Sequence, residues 1–210
     1  MRIARALAVS MMLLGVSIGM MVAQAPPGGQ GKGGGGGGKG RGGGKGGIAA
    51  PMTITVAGYA DGGLIPDTIG CAAANAQKDS PKIDWTGAPA GTMAFALIMH
   101  DTDVNVGGAN GPDVLHWAIF DIPGTATGLP AGVPKMATLA DGTVQPNNIG
   151  GQPGFFSPCP PVPTTHHYII EVYALDAKLG LPATTNRTDL LAALAMHTRA
   201  KGTYVGMYHV

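Results

Sequence analysis

Short apolar segments separated by turn residues fill the chain after residue 48, and this pattern predicts a protein built mainly from β-strands. Residues 52–57 alternate apolar and polar side chains, as a strand with one buried face does. Residues 93–100 form a continuous apolar run, which is expected of a strand covered on both faces. A helix of that length would also be apolar, but residues 115–122 and 168–175 repeat the same short form between turn signals. This repetition favours a β-sandwich.

One segment carries a convincing helical pattern, and it covers residues 189–201. Thr188 or Asn186 can cap its first turn, and Gly202 can end it. Asn186 also opens an N-glycosylation acceptor sequence, but helix capping explains the same residues. An apolar stripe on this helix is expected to pack against a sheet, and it consists of Leu190, Leu191 and Leu194. Residues 202–209 alternate again and predict a final strand.

Residues 1–25 have the pattern of a secretory signal peptide. Arg2 and Arg5 precede an apolar run, and a small-x-small cleavage pattern follows at residues 23–25. A retained membrane anchor is the alternative, but the run is short and no basic stop-transfer cluster follows it directly. No cysteine stands at the cleavage point, so a lipid anchor is not indicated. The sequence therefore predicts an exported, periplasmic or secreted protein, with no integral membrane span after cleavage near Pro26.

Residues 26–47 are mostly glycine with scattered lysine and arginine, and they predict a disordered basic linker. An arm that binds nucleic acid is a weaker interpretation, because the segment has no aromatic residues to stack on bases. Residues 48–210 are then the right size for one domain with one core. The formal net charge of the chain is +1, so no strongly charged partner is implied.

Residues 155–168 join a proline-rich segment to the start of a strand, and they are the predicted working site. Each proline fixes φ and removes an N–H donor, so residues 158–163 must form a loop or an edge. If the strand begins at His166, its two-residue period places His166 and Tyr168 on one face and His167 on the other. An imidazole and a phenol would then form one wall of a pocket.

Three polar clusters lie at predicted strand ends, at residues 100–103, 115–117 and 166–168. Each has an ordinary explanation, because a lone histidine is more often a structural donor and Asp-x-Asp before glycines is a common turn formula. The ends of neighbouring strands can converge in space, however, and residues 157–161 stand directly before the third cluster. The combination predicts a functional site.

The order and spacing of these motifs resemble the phosphatidylethanolamine-binding protein family, also called the Raf kinase inhibitor-like family, and in particular its secreted bacterial branch. The matching segments are Ser-Pro-Lys-Ile-Asp-Trp at residues 80–85, Asp-Thr-Asp-Val-Asn at 101–105, His-Trp at 116–117, Ser-Pro-Cys-Pro-Pro at 157–161 and His-His-Tyr at 166–168. Each motif is weak alone, but in this order they are specific. The resemblance covers nearly the whole domain.

This resemblance implies an antiparallel β-sandwich of the family's type, with a C-terminal helix and few other helices. It also implies a small pocket for phosphate-like or carboxylate anions, including the phosphoethanolamine head group, and it implies no cofactor. By position, the pocket walls would be Asp101, His116, His166 and Tyr168, and the rim would include Ser157, Cys159 and Pro160. Phenol and imidazole groups can donate to an anion, and a nearby carboxylate can orient and charge an imidazole.

Cys71 and Cys159 are the two cysteines of the chain. An even count in an exported protein favours a disulfide over reactive thiols, so we expect the two to pair. The bond would tie the rim of the pocket to the loop that contains Cys71. Two separate thiols, with Cys159 reactive at the pocket edge, are the alternative.

The leading functional hypothesis is an exported, non-catalytic protein that binds a small anion or a phospholipid head group. A weak hydrolase is one alternative, with Ser157 as nucleophile, His166 or His116 as base and Asp101 as the orienting residue. Against it, the chain has no Gly-x-Ser-x-Gly elbow, and Pro158 lacks the N–H that such elbows use in the oxyanion hole. An inhibitor of a protease or kinase is another alternative, because some members of the resembled family inhibit protein partners.

A metal site is the remaining chemical alternative. The residue types that could bind a metal are His100, Asp101, Asp103, His116, His166 and His167. Strand alternation argues against it, because His166 and His167 would point to opposite faces. The i, i+4 histidine pair of a helical zinc site is also absent from the sequence. No metal is therefore predicted.

Overall fold

The structure is a computed structural model that describes residues 51–72, 76–105 and 113–210. The predicted signal peptide (residues 1–25) and the predicted linker (residues 26–47) lie outside the described residues, as does the start of the predicted domain. Within the described ranges, no helix is long and apolar enough to cross a membrane.

Two β-sheets enclose the main hydrophobic core, so the predicted mainly β sandwich is confirmed. The smaller sheet contains, in spatial order, β1 (Thr53–Val56), β3 (Ile83–Thr86) and β6 (Gly128–Leu129). The larger sheet contains, in spatial order, β2 (Gly63–Leu64), β8 (Thr198–His209), β7 (Thr165–Leu175), β4 (Ala94–Asn105) and β5 (Asp113–Pro123). The pairings between these strands are antiparallel, apart from the short parallel pairing of β2 with β8.

β4 runs through the larger sheet between β5 and β7, and this position explains its continuous apolar sequence. Its residues from 94 to 101 are all buried. Phe95 and Met99 belong to the core between the sheets, whereas Ala96 and Ile98 belong to a second core on the other face of the larger sheet. The prediction of a strand covered on both faces is confirmed, because both cores need apolar side chains from this strand.

α1 (Arg187–His197) covers the second core, and its N-terminus agrees with the prediction. The Asn186 side chain accepts a hydrogen bond from a backbone N–H of the first turn at 3.0 Å, which makes Asn186 the N-cap. Leu190 and Leu194 are buried against the sheet, as expected of the apolar stripe. Leu191 was predicted to join them, but it is 39% exposed.

The predicted C-terminal end of the helix is wrong. Residues 198–201 leave the helix and begin β8, where they pair with the end of β7 and satisfy their backbone groups in the ladder. Lys201, which suggested the last turn of a helix, instead lies with its Nζ 2.6 Å from Glu171 Oε1 on β7. Gly202 lies inside β8 and does not end the helix. A Cβ at this position would be 2.6 Å from the Met52 carbonyl oxygen, so the site requires glycine.

Cys71 and Cys159 form a disulfide, which confirms the predicted pairing. Their Cα atoms are 5.3 Å apart, and their sequence separation is 88 residues. The Cys71 N–H also donates a hydrogen bond to the Pro158 carbonyl oxygen at 2.9 Å. The disulfide and this hydrogen bond hold residues 157–164, a proline-rich segment that we call the rim loop, against the segment that ends at residue 72.

Candidate ligand-binding site

A cavity of about 240 Å³ lies where the ends of β4, β5 and β7 meet the rim loop. These three strands are neighbours in the larger sheet, and each contributes polar side chains near one end. The cavity is lined by Asp101, Val104, Val114, His116, Ile149, Phe156, Cys159, Pro160, Pro161 and His166. The fold thus brings together polar residues that lie far apart along the chain.

Most of the predicted site residues line this cavity, which we call the polar cavity. They are Asp101, His116, Cys159, Pro160 and His166. Tyr168 and Ser157 were predicted beside them, but neither forms part of the lining. The ring contact of Tyr168 and the hydrogen bonds of Ser157 explain why these two residues lie outside the lining.

Asp101 and His166 form a buried pair in the wall of the polar cavity. His166 Nδ1 lies 2.7 Å from Asp101 Oδ2, and the two side chains are only 7% and 5% exposed. The other carboxylate oxygen of Asp101 accepts a hydrogen bond from the Asp103 N–H at 2.9 Å. These contacts hold the carboxylate in one orientation, because both of its oxygens are engaged.

Thr164 contacts the other ring nitrogen of His166. The Thr164 hydroxyl donates to the Pro161 carbonyl oxygen. Thr164 Oγ1 also lies 3.1 Å from His166 Nε2. Both ring nitrogens of His166 therefore have an oxygen within hydrogen-bond distance, with Asp101 at Nδ1 and Thr164 at Nε2.

His116 is the second imidazole of the cavity wall. Its Nδ1 lies 3.0 Å from the Phe156 carbonyl oxygen, so in the neutral ring Nδ1 carries the proton and Nε2 does not. Burial lowers the pKa of His116 below its usual value, and the hydrogen bond to Phe156 opposes this shift only in part. His116 is therefore neutral near pH 7, with Nε2 as an acceptor, and Nε2 becomes a donor only when the ring is protonated.

Tyr168 supports the wall from behind. Its side chain is fully buried, and its ring meets the ring of His116 edge-on, with centroids 5.0 Å apart. Burial raises the pKa of the Tyr168 hydroxyl, and the nearby Asp101 carboxylate raises it further, so the phenol stays neutral. Among the described residues, none gives this hydroxyl a hydrogen bond of normal geometry. The ring of Tyr168 therefore packs against His116, but Tyr168 does not line the cavity.

Ser157 belongs to the rim loop but not to the polar cavity. It is fully buried, and its hydroxyl accepts a hydrogen bond from the Lys78 N–H at 2.8 Å. Its own N–H donates to Gln77 Oε1 at 2.8 Å. Both contacts fix the rim loop to residues 77–78, which do not line the cavity. This arrangement does not support direct contact of Ser157 with a ligand, nor its use as a nucleophile.

The residues of the predicted polar cluster at 100–103 do not share one site. His100 lies on the face of the larger sheet that carries α1, and its Nδ1 is 2.5 Å from Asp113 Oδ2. Burial lowers the pKa of His100. His167 and Asp103 form an exposed pair, with Nδ1 and Oδ2 3.0 Å apart. Among the described residues, no group of three or more histidine, cysteine or acidic side chains could hold a metal ion.

Two lining residues lie outside the predicted segments, namely Val114 and Ile149, whereas Phe156 belongs to the predicted working site at residues 155–168. Val114 could have been found from the sequence, because it alternates with His116 on β5 and so shares its face. Ile149 and Phe156 lie in the long connection between β6 and β7. No periodic pattern reports the path of such a connection, so their positions required the structure.

Comparison with known proteins places the chain in a family. A family model described as phosphatidylethanolamine-binding protein matches residues 55–209. A UPF0098 protein from Methanothermobacter thermautotrophicus is 35% identical over 157 residues, which are 75% of this chain and 98% of the relative. A Mycobacterium tuberculosis protein named as a candidate lipoprotein, LppC, is 35% identical over 162 residues, which are 76% of this chain and 73% of the relative.

A solved structure supports the same assignment. Escherichia coli YbcL, described as a new member of the mammalian phosphatidylethanolamine-binding protein family, matches with a TM-score of 0.67 and 27% sequence identity. The match covers 77% of this chain and 99% of YbcL, so the common fold extends over the whole described domain. The chain belongs to the phosphatidylethanolamine-binding protein family.

Proposed function

We propose that this protein is an exported, non-catalytic binding protein whose polar cavity holds a small phosphate-bearing ligand of the phosphoethanolamine type. The observation that carries the proposal is the buried pair of Asp101 and His166 beside His116 in a cavity of about 240 Å³. Cavities that hold drug-sized ligands typically measure about 300–1,000 Å³. The polar cavity therefore suits a head group rather than a larger molecule.

The wall offers partners for a ligand that carries both signs. The Asp101 carboxylate and the His166 imidazole lie together there, and their side chains are almost fully buried. A phosphate group can accept from a histidine N–H, and an ammonium group can donate to the carboxylate. Phosphoethanolamine contains both groups, so it can engage both side chains.

The surroundings of Ser157 support a binding role over hydrolysis. Its hydroxyl is engaged with the Lys78 N–H and lies outside the polar cavity. A serine nucleophile needs a base within hydrogen-bond reach and an open path to the substrate. The contacts of Ser157 in the structure provide neither.

Three observations support export. The first residues have the pattern of a signal peptide. Cys71 and Cys159 form a disulfide, and such bonds persist mainly in oxidising compartments outside the cytoplasm. A relative from Mycobacterium tuberculosis is named as a candidate lipoprotein.

Titration by NMR and calorimetry tests the proposal, with phosphoethanolamine, inorganic phosphate and ethanolamine as separate ligands. We expect phosphoethanolamine to bind more tightly than either of its halves, because it alone can engage both Asp101 and a histidine of the wall. Asp101→Asn should weaken binding by tenfold or more, since a charge-assisted hydrogen bond contributes about 1.5–3 kcal/mol. His167→Gln is the matched control, because His167 is half exposed and outside the cavity lining. Unchanged resonances of Asp101, His116 and His166 at millimolar phosphoethanolamine would refute the proposal.

The pH dependence provides a second test. Burial lowers the pKa of His116, so Nε2 gains its proton only as the pH falls below about 6.5. Sulfate keeps its charge over this range, and its affinity should rise as the pH falls and Nε2 becomes a donor. His116→Gln should remove that rise. A sulfate affinity that increases with pH would contradict the role of His116.

A further inference from the structure

A larger cavity of about 580 Å³ lies between the N-terminal part of α1 and β5, and we call it the helix cleft. Asp113 and Leu115 line it from β5, and Arg187 and Leu191 line it from α1. Its volume falls in the range of about 300–1,000 Å³ that is typical of small-molecule sites. The cleft has an apolar surface and a charged surface, and each restricts the ligand that it can hold.

The apolar surface of the helix cleft is in contact with water. Leu191 is 39% exposed, and Ile149, which also lines the cleft, is 48% exposed. A ligand with an apolar body would remove this surface from water, and such burial is favourable. The charged surface then defines the polar part of the ligand.

The charged surface is an ion pair whose net charge is zero. Arg187 pairs with Asp113, and Asp113 Oδ2 lies 2.5 Å from His100 Nδ1. Burial lowers the pKa of His100, so its ring adds no charge near pH 7. Glu171, whose Oε2 is 3.9 Å from His100 Nε2, is balanced by Lys201. A charged ligand would leave a charge without a counterion in these partly buried surroundings, so a neutral ligand fits better.

The same ion pair is incomplete in its hydrogen bonds. Arg187 Nε and Asp113 Oδ1 are buried, and neither has a hydrogen-bond partner of normal geometry among the described residues. The pair therefore lacks an acceptor for Nε and a donor for Oδ1, and buried polar groups without partners are costly. The two side chains are 18% and 21% exposed, and rotamer changes of such side chains are fast, so the pair can turn toward a ligand in the cleft.

A primary carboxamide supplies both missing groups from one edge. Its carbonyl oxygen can accept from the guanidinium, its N–H can donate to the carboxylate, and it carries no net charge. A carboxylate would offer acceptors alone and would be repelled by Asp113, whereas an amidinium would offer donors alone and would be repelled by Arg187. We propose that the helix cleft is a second binding site, which takes a small neutral ligand with a carboxamide head and an apolar body. This site is separate from the polar cavity and does not depend on its function.

Benzamide, benzoate and benzamidine test the proposal, because they share one apolar ring and have nearly the same size. Near pH 7 they are neutral, anionic and cationic, respectively. We expect benzamide to bind at least about tenfold more tightly than either charged analogue, because a charged head leaves one group of the pair without a partner. Titration by NMR measures the affinities and locates the site. The Leu115 and Leu191 methyl resonances and the Arg187 Nε–H resonance should shift, whereas those of the polar cavity should not.

Two substitutions change the charge of the pair in opposite directions. Asp113→Asn leaves the guanidinium without its counterion, so benzoate should become the tightest of the three ligands. Arg187→Met leaves the carboxylate without its counterion, so benzamidine should become the tightest. A residue that only supports the fold would weaken all three ligands together and would not reverse their order. Asp176→Asn is the matched control, because Asp176 also pairs with an arginine, Arg199, but does not line the cleft.

The order of the three affinities decides the outcome. Tightest binding of benzamide at Leu115 and Leu191, with a reversed order in either folded variant, would support the proposal. Benzoate or benzamidine as the tightest ligand of the wild-type protein would overturn the neutral head. Binding that shifts only resonances of the polar cavity, or no binding of any of the three at millimolar concentrations, would overturn the site. The comparison in the wild-type protein stands even if neither variant folds.

Discussion

His166→Gln and His167→Gln compare a buried histidine–aspartate pair with an exposed one on adjacent residues of the same strand. His166 pairs with Asp101 at 2.7 Å, and both side chains are at least nine-tenths buried. His167 pairs with Asp103 at 3.0 Å, and their side chains are 50% and 38% exposed. Each substitution removes one imidazole and leaves one carboxylate, so the two variants differ mainly in burial.

The expected losses of stability follow from that difference. Removing His166 leaves a buried carboxylate without its imidazole partner, and breaking a buried pair costs about 3–5 kcal/mol. The protein can escape part of the cost by protonating the carboxylate, which for an aspartate in water costs about 4 kcal/mol at pH 7. We therefore expect His166→Gln to lower the free energy of unfolding by about 3–4 kcal/mol. His167→Gln should lower it by less than about 1 kcal/mol.

Equilibrium unfolding in urea measures both losses, and pH distinguishes the mechanism. Because protonation becomes easier by about 1.4 kcal/mol for each unit of falling pH, the deficit of His166→Gln should shrink to about 1.5 kcal/mol at pH 5. The double variant Asp101→Asn/His166→Gln removes the carboxylate together with its partner and should recover most of the lost stability at pH 7. Equal losses in the two single variants, or a deficit of His166→Gln that does not change with pH, would refute the reasoning.

Two further predictions concern the disulfide and the outer face of the sheet. Replacing Cys71 and Cys159 together by serine opens a loop closed over a sequence separation of 88. The free energy of unfolding should fall by about 4–5 kcal/mol in the chain-entropy model. Denaturation with guanidinium chloride measures the loss, and an unchanged midpoint and slope would contradict it. Burial lowers the pKa of His100, so the unfolded chain takes up this proton first as the pH falls through about 6.5, and stability is lost below that pH and retained above it. His100→Gln should reduce the slope of stability against pH between about 6.5 and 5, and identical slopes for the variant and the wild type would show that His100 is not responsible.

Much of the candidate site was accessible from the sequence because strand alternation is a local property. His166 and Tyr168 were assigned to one face and His167 to the other, and their burial follows this assignment. The same rule could have separated His100 from Asp101, which are adjacent in β4 and therefore face opposite sides of the sheet. The adjacency of their polar side chains in the sequence suggested one cluster, whereas the strand geometry makes two.

The position of Ser157 could not be predicted in the same way. The rim loop has no regular alternation of apolar and polar residues. Its prolines fix φ angles but do not determine which residue each side chain contacts. The Ser157 N–H donates to Gln77, and the Lys78 N–H donates to the Ser157 hydroxyl, at sequence separations of 80 and 79. Such contacts depend on how the rim loop is folded back by the disulfide, so they appear only in the folded chain.

The end of α1 shows how tertiary pairing overrides a local pattern. Residues 198–201 contain basic side chains and precede Gly202, which is typical of the last turn of a helix. In the folded protein they extend β8 along β7, because the ladder satisfies their backbone groups and Lys201 meets the carboxylate of Glu171. Differences in helix propensity amount to only a few tenths of a kcal/mol per residue, so they do not outweigh the strand pairing.

The sequence by itself determined the longer strands, a helix capped at Thr188 or Asn186, the disulfide and most of the polar residues that converge on one cavity, because these depend on periodicity, capping chemistry and cysteine count. Only the tertiary structure decided that Asn186 is the cap, that Ser157 lies outside that cavity, that α1 ends at His197 and that Ile149 lines the cavity. These features depend on contacts between residues distant in the chain. Their energies are set by burial and by partners that no local segment contains.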